Sequence, residues 1–223
     1  MNIKPIAYFH SPFTEKFGLP RQSGLVEELR GEIVFEPEWR TEEALRGLDG
    51  FDYLWLVWGF SENVEARKTP TVRPPLLGGN QRMGVFATRS PFRPNNLGLS
   101  AVRLESVEWH TPRGPVVHVC GADLMDCTPI YDVKPYLPYV DSHPDARSGF
   151  QGEHAWQRLE VELPDEVAAL FTDEERQALV HSLELDPRPH YHDDPAKVYG
   201  LRFAGHDIHF RVEGRRLVVS KVK

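Results

Sequence analysis

The residues best equipped for chemistry stand in the run Thr88-Arg89-Ser90-Pro91-Phe92-Arg93-Pro94-Asn95-Asn96-Leu97-Gly98. An arginine carries a planar fork of donors that matches carboxylates and phosphates. Prolines beside it fix φ, so the fork is presented with little entropy lost. Three other segments share this composition: Gly18-Leu19-Pro20-Arg21-Gln22, the stretch from Pro70 through Arg73 to Asn80, and the stretch from Asp123 through Cys127 to Tyr136. Rigid loops that allow close backbone approach hold ligands well. Each of them taken alone also reads as a well-ordered turn at the end of a β-structure.

Charge singles out the same region. The chain of 223 residues has a net charge of −7, which by itself argues against nucleic-acid binding. Between Ala66 and Leu104, however, there is no Asp or Glu, although 33 acids spread evenly would put about six there. Arg67, Lys68, Arg73, Arg82, Arg89, Arg93 and Arg103 all fall inside this window. Segregated charge creates a local field that net charge hides. The other reading is that these side chains face different directions and pair with acids elsewhere.

The elements that position these loops are mostly strands. Runs rich in β-branched and aromatic residues occur at Pro5 to Phe9, Glu32 to Phe35, Tyr53 to Phe60, Gly84 to Thr88, Leu99 to Val107 and Val116 to Leu124, with Gly and Pro clusters between them. Trp55 and Trp58, three apart in a strand, face opposite sides, so at least one belongs to the core. Arg40 to Arg46 reads as a short helix capped by Thr41. The expectation is a mostly β fold, with a barrel domain over residues 1–142, a linker or loop over 143–156, and a small α+β domain over 157–223. In the last part, Thr172-Asp173-Glu174-Glu175 is a capping box that opens a helix. His206 to Val212 and Arg216 to Val222 form a basic hairpin that includes Arg211.

Some function classes are disfavoured. Cys120 and Cys127 match neither a zinc knuckle nor a redox pair. Neither a signal-peptide core at Met1 to Ile6 nor a run of about 18 apolar residues is present, so the expectation is a cytoplasmic protein without membrane association. No Gly-x-Gly-x-x-Gly fingerprint of a dinucleotide fold occurs. His190 and His192 followed by Asp193-Asp194 could be read as metal ligands, but no third ligand has convincing spacing, and no metal is expected.

The four loop segments, in this order, with Leu48-Asp49-Gly50-Phe51-Asp52-Tyr53-Leu54-Trp55-Leu56 between the first and the second, closely resemble the TsaA-like (YaeB/TrmO) family. Asp186-Pro187-Arg188-Pro189-His190-Tyr191 extends the resemblance to the C-terminal part. It implies a single-sheet β-barrel methyltransferase that binds S-adenosylmethionine at or near a homodimer interface. The implied reaction is methylation of the N6 nitrogen of threonylcarbamoyladenosine at position 37, in the anticodon loop of threonine tRNA. Carried over residue by residue, the methyl-donor contacts are Leu19, Pro20, Arg21, Gln22, Phe60, Ser61, Arg89, Leu99, Asp123, Leu124, Met125 and Asp126. Ser61 stands where relatives often carry histidine, and Cys127 where glycine is common.

On that reading the protein mainly aligns donor and acceptor and excludes water. A carbamoyl-linked nitrogen is a poor nucleophile until its proton leaves, so a base would help; Asp126, Tyr131 and Asp132 are candidates by position, although a loop aspartate as often caps a turn or binds ribose. Arg67, Lys68, Arg73 and Arg93 suit RNA phosphates, with Arg188, His190, Tyr191 and Arg211 as a second surface; Phe92 and Tyr191 suit base stacking. The prolines at 187 and 189 also serve as a stop after a helix. Two alternatives stand beside this reading: the same donor chemistry on another acceptor, and a non-enzymatic RNA-binding barrel.

Overall fold

A computed structural model describes residues 3–63, 67–152, 157–188 and 194–222. Six antiparallel strands close into a barrel: β1 (Ala7–His10), β2 (Arg30–Phe35), β3 (Tyr53–Gly59), β6 (Leu97–Glu108), β7 (Val116–Cys120) and β8 (Thr128–Pro135), in the spatial order β1-β2-β7-β6-β3-β8. The short pair β4 (Thr71–Val72) and β5 (Met83–Gly84) forms a separate two-stranded ribbon between β3 and β6. A four-stranded sheet from β9 (Glu160–Glu162), β10 (Tyr199–Phe203), β11 (His206–Glu213) and β12 (Arg216–Val222) follows, in the order β10-β11-β12-β9. The helices are short: α1 (Glu42–Leu45), α2 (Pro138–Asp141), α3 (Asp165–Ala168) and α4 (Asp173–Glu184). None among the described residues is long and apolar enough to cross a membrane.

Alternation builds the barrel. In β3, Leu54, Leu56 and Trp58 turn inward and are buried, while Tyr53 and Trp55 turn outward. The inward set meets Phe9, Ile33, Val102, Val117, Val119 and Ile130. Strand β6 serves two neighbours in turn: Leu97 to Arg103 pair with β3, and Arg103 to Glu108 with β7. A strand long enough to bend from one partner to the next is one way a sheet closes on itself.

Several expected elements form as read. Thr41 caps α1 by accepting the Ala44 N–H at 3.3 Å, and the Thr172/Glu175 capping box opens α4. The basic hairpin is β11 and β12. Two expectations are corrected. Gly84 to Thr88 is mostly a 3₁₀ turn over Val85–Ala87, because Thr88 bonds back to the Val85 carbonyl in place of a neighbouring strand. Thr128 to Pro135, read as part of a loop, is strand β8, whose Asp132 and Lys134 lie on the solvent side. The segment 143–156, expected as a linker or loop, includes a 3₁₀ turn at Gly149–Gln151, and 153–156 lie outside the described residues.

The second core is shared along the chain. Phe13, Val26 and Leu29, from the connection between β1 and β2, are buried among Leu179, Leu183, Leu201, Phe203 and Phe210. The Phe13 and Phe203 rings meet edge to face at 5.0 Å. The β1–β2 loop therefore belongs to the barrel by its ends and to the C-terminal sheet by its side chains.

Gly98 lies under the Trp58 indole, and a Cβ there would be 2.3 Å from the ring. Gly98→Ala is expected to lower stability by about 1–3 kcal/mol through overpacking. Urea unfolding followed by tryptophan fluorescence checks this, and an unchanged midpoint would count against it.

Candidate active site

Antiparallel pairing brings the marked loops together. Strand β1 ends where β8 begins (Phe9 opposite Thr128), and β3 ends where β6 begins (Gly59 opposite Leu97). The β1–β2, β3–β6 and β7–β8 connections consequently emerge at one end of the barrel, and these three connections carry the first two marked segments, the third as far as Asn96 and the start of the fourth. There they surround a cavity of about 860 Å³.

Its walls include Leu19, Pro20, Arg21, Gln22, Phe60, Ser61, Arg89, Leu99, Asp123 and Met125. Two residues expected with them stand elsewhere. Leu124 turns into the barrel core, and the carboxylate of Asp126 faces His10, with Oδ1 3.1 Å from His10 Nδ1. Sequence reasoning could not see this, because alternate residues of a chain passing a barrel rim point to opposite sides.

A chain of hydrogen bonds holds the floor. Trp58 Nε1 donates to Ser100 Oγ at 3.0 Å, and Ser100 Oγ donates to Asp123 Oδ1 at 2.5 Å. Burial pushes the Asp123 carboxyl above its ordinary value, against the Ser100 hydroxyl, which pulls it down. Both tryptophans of β3 reach the cavity, Trp58 from the core side; Trp55 also donates to Asp141 Oδ2 at 3.0 Å.

The rim arginines divide into separate tasks. Arg89 donates to the Gln22 side chain and remains exposed. Arg93, which also lines the cavity, donates to the Thr88 and Ser90 carbonyls at 2.6 and 3.0 Å, and so staples its own loop. Arg21 donates to the Asp186 carbonyl at 2.6 Å, tying the cavity wall to the segment after α4. Arg188 is clamped by the Asp186 carboxylate through Nε and Nη2, each at 2.9 Å, with its side chain only 11% exposed. Its fork is thus engaged within the protein. Arg67, Lys68, Arg73 and Arg211 are exposed; His190 and Tyr191 lie outside the described residues.

The expected proton acceptors do not line the cavity. Asp126 faces His10, Asp132 pairs with Lys134 Nζ at 3.1 Å, and Tyr131 packs on the bare backbone of Gly59, where a Cβ would be 2.8 Å from its ring. The carboxylates that do line it are Asp123 and Glu62. Several lining residues escaped the sequence reading, among them Lys16, Glu62, Asn63 and, 81% exposed on the 3₁₀ turn after β5, Phe86. Its signal, an apolar ring in an arginine-rich and acid-free stretch, was hidden by reading that stretch as a strand.

Comparison with known proteins gives consistent matches. The model of the tRNA-methyltransferase O N-terminal domain matches residues 8–142, and that of the TrmO C-terminal domain residues 156–223. A protein of Escherichia coli strain K12 named tRNA (adenine(37)-N6)-methyltransferase is 39% identical over 218 residues, covering 94% of this chain and 92% of the relative. One of the same name from Eikenella corrodens is 43% identical over 173 residues, covering 77% of this chain and 97% of the relative. The crystal structure of TrmO from Pseudomonas aeruginosa matches with a TM-score of 0.79 at 32% identity, covering 100% of this chain and 98% of that one.

The raised Asp123 carboxyl has a consequence for stability. A carboxyl whose folded value exceeds its unfolded one favours the fold at low pH, and that contribution is lost as pH rises through the folded value. Asp123→Asn keeps an oxygen to accept the Ser100 hydroxyl and removes the buried charge. The variant should melt higher than the parent at neutral pH, with the gain shrinking as pH falls to about 4. A gain independent of pH, in melting curves across that range, would exclude this origin.

Proposed function

The chain belongs to the tRNA-methyltransferase O family and is an S-adenosylmethionine-dependent tRNA (adenine(37)-N6)-methyltransferase, and we propose that its acceptor is threonylcarbamoyladenosine in a threonine tRNA. The observation that carries this reading is the cavity in which an acid-free, arginine-bearing loop faces a half-buried carboxylate. Its volume lies in the upper part of the ordinary range for ligand sites, about 300–1,000 Å³, which leaves room for a bulky acceptor base beside the donor.

The lining residues fit S-adenosylmethionine. Arg89 suits its carboxylate, and the Phe60 and Trp58 rings, 4.4 Å apart, offer aromatic faces to a cation. When bound, the donor supplies a methyl group on a sulfonium. Gln22 orients Arg89; Leu19, Pro20, Leu99 and Met125 give apolar walls that exclude water; Ser61 and Arg21 add polar contacts. Asp123 takes the N6 proton, because its burial makes it a stronger base than an exposed aspartate and it faces the cavity. Asp126 and Tyr131 act as supports of the floor and wall, and Asp132 stays paired with Lys134.

For the RNA, Arg67, Lys68, Arg73 and Arg211 hold phosphates, and Phe86 stacks on an anticodon-loop base. The barrel unit over 1–142 carries the chemistry and the unit over 157–223 braces the donor wall from behind, in the cytoplasm. A second copy of the chain covers the outward strip of Tyr53, Trp55, Tyr136 and the 83% exposed Tyr139, of which Trp55 also lines the cavity. Light scattering should then report a dimer that Tyr139→Glu weakens.

Incubation with radiolabelled S-adenosylmethionine tests the reaction, using threonine tRNA with and without the threonylcarbamoyl group. Label in the modified RNA alone is expected. Label in neither sinks the proposed acceptor, and label in both shows that the modification is not required. Arg89→Ala should weaken donor binding at least about tenfold by calorimetry. Phe86→Ala should raise the KM for tRNA about tenfold and leave donor affinity intact. Asp123→Asn should lose kcat with donor affinity kept; a loss of affinity instead would make Asp123 a binding group.

A further inference from the structure

Behind the cavity wall, β1 and the β7–β8 loop bring together three side chains of different chemistry. His10 Nδ1 lies 3.1 Å from Asp126 Oδ1, and the Cys127 thiol donates to Asp126 Oδ2 at 3.3 Å. One ligand-type atom from each of the three lies within 4.8 Å of the other two. We propose that His10, Asp126 and Cys127 form a site for a borderline-soft divalent cation of the zinc class.

The backbone holds the three in place. Cys127 N–H donates to the Phe9 carbonyl and Asp126 N–H to the Phe13 carbonyl, both at 2.8 Å. Cys127 sits at φ +61, in the left-handed region that favours glycine, so its side chain is kept at a conformational cost. That backbone aims the thiol at the carboxylate shared with His10. Neither cysteine nor histidine is needed for the methyl-transfer cavity, since neither lines it.

The donor set suits the ion. Zinc binds imidazole, thiolate and carboxylate at about 2.0–2.3 Å, which puts donors in a tetrahedral site about 3.3–3.8 Å apart. Two of the three separations already stand near this distance. On binding, the thiol proton leaves to solvent, and one thiolate, one carboxylate and one neutral imidazole together balance the charge of a divalent ion. All three side chains reach solvent, so the fourth position is open to water. Because Asp123 and Met125 lie just before Asp126 in the same loop, the bound ion would pin β1 to the cavity floor.

Cobalt and zinc test this on the full chain without a histidine tag, after treatment with a chelator. One equivalent of Co²⁺ should give a thiolate-to-cobalt charge-transfer band, and Zn²⁺ should displace it and raise the Tm. Cys127→Gly, which suits the backbone at this position and so keeps the fold, should abolish the band; His10→Gln should weaken Zn²⁺ binding at least tenfold in competition with a chromophoric chelator. Absence of the band in the parent overturns the proposal. So does binding that survives both substitutions, which would put the ion elsewhere, for instance on His190 and His192.

Discussion

One hydrogen-bond chain, from the buried Trp58 indole through the Ser100 hydroxyl to the half-buried Asp123 carboxylate, ties the site to the fold. Each link comes from a different part of the barrel: β3, β6 and the β7–β8 loop. Trp58 reaches Ser100 only because the neighbouring position on β6 is Gly98, whose missing side chain leaves room for the indole. Low dielectric strengthens such a chain and makes any unpaired member costly, so the three groups fix one another. The carboxylate ends at the cavity with its affinity for a proton raised by that same burial. Packing inside the barrel thereby sets the acidity of a group outside it.

Around this floor, the walls come from separated stretches of chain. Strictly antiparallel closure sends three connections out of one end, so loops that are far apart in sequence meet. The C-terminal sheet takes part from behind. Its core encloses Phe13, Val26 and Leu29, and the Asp186 carbonyl holds Arg21, which steadies the wall made by Leu19 to Gln22. The second unit is therefore a structural partner of the site.

The arginines illustrate how one residue type is divided by geometry. Arg93 and Arg188 spend their forks on carbonyls or a carboxylate of the protein itself. Arg67, Lys68 and Arg73 remain exposed in the acid-free window. Arg89 stands between the two groups, braced by Gln22 and open to the cavity.

The amino-acid order alone determined much of this. Period-two alternation in Tyr53 to Trp58 and turn clusters between short strands dictate a mostly β fold, and the Thr172/Glu175 box opens α4, because these are local properties of neighbouring residues. Composition alone also marked the loops that line the cavity. Only the tertiary structure decided which loop residues face it: Leu124 and Asp126 leave it while their neighbours Asp123 and Met125 stay, Phe86 enters, and Arg188 pairs with Asp186. The reason is physical. A side chain's direction at a barrel rim, and the partner that occupies its polar group, depend on strands distant in sequence, and no local pattern encodes them.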